Sequence, residues 1–274
     1  MLETPEPRGA IAPRRVVRIR DGRAEERDDA LVVEEPLEIR LGDDPIAVVM
    51  RTPGHDMELA VGFLFSEGIL RSPEQVLSVA YCSDVTPEAS GNVVRVLAAG
   101  ADRHAAEAAR RQVYASSSCG LCGKATLDAV RLLAPPLGAP PSLTFARVAA
   151  LPDALLAEQS VFASTGGLHA AGLFAAQGPP LLVREDIGRH NAVDKVLGAM
   201  VMRERWPLHD HVLVLSGRAS FEMVQKAAMA GIGAVVSVSA PSALAVDYAT
   251  EAGMILVGFA RPGRINVYAG EVTP

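Results

Sequence analysis

Residues 211–238 read HVLVLSGRASFEMVQKAAMAGIGAVVSV. The run opens on a strand-like stretch, His211–Leu215, and crosses the polar loop Ser216-Gly-Arg-Ala-Ser220. It then enters Phe221–Ala230, which has helical character, and ends on a second apolar strand, Ala234–Val238. The same rhythm continues with a helix over Ser242–Ala252 and a strand over Met254–Phe259. These strands are continuous apolar runs, the pattern of strands covered on both faces. Alternating strands and helices with short links predict a parallel sheet joined by right-handed crossovers.

Working outward, Leu173–Ala176 and Leu181–Val183 flank a Gly-Pro-Pro turn, and Asn191–Arg205 carries an apolar stripe at helical spacing. Pro135–Pro141 is the clearest linker. Before it, Leu37–Leu41 and Ile46–Met50 alternate as strands around a Gly42-Asp-Asp-Pro45 turn, and Asp56–Ser66 reads as a buried helix ended by Gly68. Ser72-Pro-Glu-Gln75 resembles a capped helix start. Val76–Cys82 and Val93–Leu97 read as strands, and Ala101–Ala115 as a helix. The predicted fold class is α/β in two domains. A loose, charged arm over 1–30 precedes a smaller α+β domain over 31–115. Residues 116–141 hold a cysteine loop, a short helix and the linker. A larger α/β/α layered domain with mainly parallel central strands covers 142–274.

The net charge of −6, with Lys and Arg scattered, argues against a nucleic-acid partner. Arg110-Arg111 and Arg203–Arg205 read as solvated helix faces. No apolar run approaches the roughly 20 residues that span a membrane, and Met1–Ala30 lacks the apolar core of a signal peptide. A soluble, cytoplasmic protein is expected. Cys82, in an apolar strand, reads as a small buried hydrophobe.

Cys119 and Cys122 stand in Ser116-Ser-Ser-Cys-Gly-Leu-Cys-Gly-Lys124, just ahead of a helical stretch over Ala125–Leu133. A helix N-terminus and the Lys124 cation both favour thiolate over thiol. Half of a structural zinc site is present, but no second CxxC or H-x3–5-H pair completes it, and no metal site is expected. The zinc deaminase signature fails at Ser118 and for want of His-x-Glu. A P-loop fails at Ser118 and Ala125. The mid-chain position is unusual for a thioredoxin-type dithiol. Spacing alone does not separate sulfur transfer from dithiol redox work.

Three loops follow predicted parallel strands: Ser216-Gly-Arg-Ala-Ser220, Ser239-Ala-Pro-Ser242 and Phe259-Ala-Arg-Pro-Gly-Arg264. Ligands of open α/β sheets bind beyond the carboxyl ends of the strands. Ser216, Gly217, Arg218, Ser239, Arg261, Gly263 and Arg264 offer backbone access and guanidinium groups for phosphate. Each loop alone is ordinary turn chemistry; together they favour a phosphate-bearing ligand. His169, in Ser164-Thr-Gly-Gly-Leu-His169, and His190, in Arg184–Lys195, are candidates for proton transfer or ligand contact. A salt-bridged helix start explains most of Arg184–Lys195, with Asp186 placed to cap it and His190 and Asp194 on one helical face. Capping likewise comes first for His55 and Asp56.

Taken together, Thr52–Gly68, CGLCG, STGGLHAAG, REDIGRHNAVDK, LSGRASFEMVQKA and Phe259–Arg264 resemble the formate dehydrogenase accessory sulfurtransferases, the FdhD family, in family order from about residue 30 onward. The resemblance implies a sulfur carrier. It would accept sulfur from a cysteine desulfurase as a persulfide and pass it to Mo-bis(molybdopterin guanine dinucleotide) before insertion into formate dehydrogenase. It further implies a homodimer and a cytidine-deaminase-like fold for the larger domain. Cys119 takes the persulfide role with Cys122 as partner thiol. Phe259, Ala260, Arg261, Pro262, Gly263 and Arg264 match the cofactor-binding segment and would meet its guanine nucleotide part. Two rival readings are a non-catalytic cofactor chaperone and a dithiol oxidoreductase.

Overall fold

A computed structural model describes residues 9–113 and 134–274. Cys119 and Cys122 lie outside them, as do the helix over Ala125–Leu133 and the end of the one over Ala101–Ala115. Residues 11–32 are not the loose arm expected. They form an antiparallel hairpin, β1 (Ile11–Arg20) and β2 (Arg23–Val32). Asp21 and Gly22 both have positive φ, 51° and 77°, the geometry of the tight turn that matches strand twist. High charge hid this Asp-Gly signal, because the ribbon has little core to bury.

The second sheet runs β4-β3-β6-β5. Its strands are β3 (Glu35–Leu41), β4 (Asp44–Arg51), β5 (Val76–Tyr81) and β6 (Val93–Ala98), with β3 and β6 parallel. Helix α1 (Asp56–Ser66) buries Leu59, Leu64 and Phe65 against Leu37, Ile39, Val94 and Val96. Helix α2 (Arg103–Val113) adds Ala106 and Ala109 to this core. Ser72 does not start an α-helix. Pro73–Gln75 make a single 3-10 turn with a capping box and lead straight into β5. The Gln75 side chain accepts from Arg71 N (2.7 Å) and donates to Gly100 O (2.7 Å), so it closes a loop instead of opening a helix.

The third sheet has the order β12-β11-β10-β9-β7-β8. The expected parallel strands are β9 (His211–Leu215), β10 (Ala234–Ser237) and β11 (Ile255–Arg261). Antiparallel strands β7 (His169–Ala175) and β8 (Pro180–Asp186) flank them on one side, and β12 (Arg264–Ala269) flanks them on the other. Parallel character is therefore confined to the middle, and the sheet is mixed. Phe259–Arg264 is not a strand-to-helix loop but the bend of a hairpin, with Arg261 paired to Arg264 across Pro262-Gly263. Gly263 takes the positive φ (77°) that follows proline in such a turn.

Both faces of this sheet are covered, as continuous apolar strands require. Leu213, Leu215, Val235 and Leu256 face α5 (Arg189–Val201), α6 (Phe221–Met229) and α7 (Ala243–Glu251). Val212, Val214, Val236 and Val257 face α3 (Phe145–Ala157). A short helix, α4 (Ser160–Thr165), follows α3. Among the described residues no helix is long and apolar enough to cross a membrane.

Candidate functional site

Two of the quoted motifs meet each other. Asp186, fully buried on β8, accepts hydrogen bonds from Thr52 N (3.2 Å), Gly188 N (2.8 Å) and Asn191 Nδ2 (2.9 Å). It also lies 2.7 Å from Lys195 Nζ, which donates to Thr52 O at 2.9 Å. Arg184 grips Glu58 through two bonds of 2.6 and 2.8 Å. Asp56 does not cap α1; its carboxylate takes a bidentate bond from buried Arg51 (3.1 and 2.8 Å) and one from Tyr81 OH (3.0 Å). Burial, reinforced by Asp56, pushes the Tyr81 phenol up to about 12. His55 precedes α1 in the left-handed region (φ 58°) and makes no side-chain cap.

His190 and Asp194 share a face of α5, and their partners share a face of α6. His190 Nε2 stands 2.6 Å from Glu222 Oε2, and Lys226 Nζ lies 2.9 Å from both Asp194 oxygens. His190 thus faces the Glu222 carboxylate of the neighbouring helix. Cys82 is buried, as expected of a packing residue. Among the described residues no group of three or more His, Cys, Asp or Glu side chains could hold a metal.

A cavity of about 660 Å³ opens at the carboxyl ends of the parallel strands. Of the predicted residues it brings together His169, Ser216, Ala260 and Arg261. Ser216 Oγ accepts from Ala170 N (2.8 Å), which joins the start of β7 to the end of β9. Gly217 packs beside it: a Cβ there would lie 3.2 Å from His169 Nδ1, so the imidazole would have to give way slightly. Gly217 O and Ser239 O both accept from Ser237 Oγ (2.6 and 3.1 Å), so the loops after β9 and β10 are tied together. Phe259 N donates to Ser239 O (3.1 Å), which adds the third loop to the same edge.

Burial lowers the His169 imidazole below its ordinary value, and the charges of Arg189, His190 and Arg218 lower it further. His169 is therefore neutral near pH 7, with one nitrogen free to accept. Arg218 is exposed next to the cavity-lining Ser216 and the His169-facing Gly217. The Arg264 guanidinium lies over the Phe259 ring, 5.8 Å from its centroid. Arg218, Ser239, Pro262, Gly263 and Arg264 belong to this edge but not to the cavity lining.

The other wall comes from residues that no motif flagged. Leu155, Leu156, Gln159 and Phe162 of the α3–α4 region line the cavity. Glu185 positions this wall, accepting from Val161 N (3.0 Å) and Phe162 N (2.7 Å) at the start of α4. Nothing local in the sequence marks these positions, because an apolar pocket wall and an apolar core have the same composition.

The FdhD/NarQ family profile matches residues 32–273. The sulfur carrier protein FdhD of Streptomyces avermitilis is 52% identical over 267 residues, 94% of this chain and 93% of its own length. The Mycobacterium tuberculosis protein of the same name is 48% identical over 266 residues, 94% of this chain and 96% of its own. A crystal structure assigned as a formate dehydrogenase accessory protein of Desulfotalea psychrophila is also similar. It has a TM-score of 0.74 and 28% identity over 95% of this chain and 97% of its own. The chain belongs to the FdhD/NarQ family.

Proposed function

We propose that this protein is a sulfur carrier serving formate dehydrogenase. Cys119 attacks the terminal sulfur of a cysteine desulfurase persulfide, the desulfurase cysteine leaves as a thiolate, and Cys119 holds the sulfur with Cys122 as partner thiol. The sulfur then passes to Mo-bis(molybdopterin guanine dinucleotide), the acceptor substrate, ahead of its insertion into formate dehydrogenase. The names of the relatives and the cysteine run at 119–122 support this reading.

The observation that carries the acceptor half is the cavity at the strand ends. Its volume suits one nucleotide-sized arm, since ligand pockets span roughly 300–1,000 Å³. Apolar walls suit a ring system, and Arg261, His169 and Ser216 suit its polar tail. Arg218 and Arg264 extend the cationic edge beyond the cavity for further phosphates. Under this proposal the protein acts in the cytoplasm as a homodimer, and residues 142–274 form a cytidine-deaminase-like domain.

Incubation with a cysteine desulfurase and cysteine, followed by mass spectrometry, is expected to find one added sulfur on the peptide holding Cys119 and Cys122. Cys119→Ala should abolish both this label and support of formate dehydrogenase. A Cys119→Ala protein that still supports the enzyme would instead indicate a cofactor chaperone.

A further inference from the structure

The hairpin β1–β2 lies ahead of most of the stretch that the family profile matches, and the proposed sulfur chemistry makes no use of it. It forms a two-stranded sheet of its own, so among the described residues the outer edge of β1 has no strand beside it. The two-residue turn sets Arg20 opposite Arg23 as a hydrogen-bonded pair, and bonded and non-bonded pairs alternate from there. Arg18, Val16 and Arg14 therefore turn their backbone groups inward to β2. Ile19, Val17 and Arg15 turn theirs outward. Pro13 falls in the outward series, where its missing N–H costs no bond to β2, and it marks the inner limit of the open edge.

The side chains sort by the same alternation. Arg14, Arg18 and Arg20 lie on one face of β1, and Arg15, Val17 and Ile19 lie on the other. β1 carries four arginines and no carboxylate, whereas β2 carries Glu25, Glu26, Asp28 and Asp29 against Arg23 and Arg27. Arg15 pairs with Glu26 at 2.7 Å, but among the described residues Arg18 and Arg20 have no carboxylate partner. Val17 and Ile19 are 62% and 71% exposed. Charges alone would guard an edge strand against pairing, but two bare β-branched residues on the same edge favour it. A second copy fits poorly. A two-fold axis would lay β1 against β1 and oppose the arginines, and β1 against another copy's β2 is a head-to-tail contact that does not close. Nucleic acid fits poorly too, because the carboxylates of β2 flank the same ribbon. The edge suits a strand with carboxylates at alternate positions, facing Arg18 and Arg20, and apolar side chains between them, facing Val17 and Ile19.

We propose that the open edge of β1, from Arg15 to Arg20, docks an extended acidic segment of a partner protein, which adds to the ribbon as a third strand. Fluorescence anisotropy of a labelled peptide of alternating glutamate and valine, titrated with the full chain, tests this. The wild type should bind the peptide, less tightly as salt rises, and should not bind the lysine–valine counterpart. Val17→Pro removes an outward N–H and leaves the bonds to β2 in place, so it should abolish binding. Arg18→Glu should weaken the glutamate peptide about fivefold or more and should let the lysine peptide bind. That gain cannot come from misfolding, so it decides the matter even if Val17→Pro is unstable. A wild type that ignores the glutamate peptide, or a Val17→Pro variant that binds it as tightly as wild type, would overturn the proposal. So would tighter binding of a single-stranded oligonucleotide than of the peptide. A halved mass of Val17→Pro by light scattering would overturn it as well, by assigning the edge to a second copy. Persulfide labelling at Cys119 is measured separately, and each of these outcomes leaves the sulfur-carrier proposal standing.

Discussion

Lys226 reaches from α6 to Asp194 on α5, with Ser66 Oγ of α1 2.7 Å away and Glu67 Oε1 3.5 Å away. Burial alone would lower the Lys226 ammonium, but the Asp194 and Glu67 carboxylates outweigh it and hold the value above that of a free lysine. Burial raises the Asp194 carboxyl, and the Lys226 ammonium beside it opposes that shift; Lys226 donates to both Asp194 oxygens and Ser66 Oγ donates to Oδ1. Lys226→Met would strand a buried carboxylate. It is expected to cost about 3–5 kcal/mol, the usual penalty for breaking one side of a buried pair. Urea denaturation at neutral pH measures this. A double variant, Lys226→Met with Asp194→Leu, should recover most of the loss, because no uncompensated charge remains.

Helices α1 and α5 cross at two glycines. A Cβ on Gly62 would lie 1.8 Å from Asp194 O, and one on Gly198 would lie 1.8 Å from Glu58 O. The contacted atoms are backbone and cannot turn aside. Glycine inside a helix normally weakens it by about 1 kcal/mol relative to alanine. Here Gly62→Ala should instead destabilise by about 3 kcal/mol or more, the upper range for overpacking, again by urea denaturation. Both helices were legible from their apolar spacing, and the strands from His211 to Phe259 were legible to within a few residues. The crossing was not. Spacing shows that a helix has an apolar face, but not which distant helix will meet it or how closely.

The molecule as a whole is joined through α5 and the turn before it. Val201 enters the core around α1, while Val193 and Val196 belong to the core around α6 and α7. Trp206 packs against both cores and meets Phe65 edge-on at 5.1 Å. The Asp186, Arg184 and Asp194 bonds described above span the same junction. A division near the Pro-rich linker should therefore not mark two independently melting units. Scanning calorimetry is expected to show one transition with equal calorimetric and van't Hoff enthalpies, and two resolved transitions would contradict it.

By itself the sequence determined the order and type of most elements, the spacing of Cys119 and Cys122, and membership of a family. Those properties are local: hydrophobic period, turn residues and motif spacing are written within a few tens of residues. Only the tertiary structure decided that His190 faces Glu222, and that the segment after β11 turns back as a hairpin. It also placed Gln159 at the cavity with His169, Ser216 and Arg261. Each of these depends on a contact between distant segments or on a burial cost paid there. A residue in a short interhelical link carries no sign that it lines a pocket until the strands that close the pocket are in place.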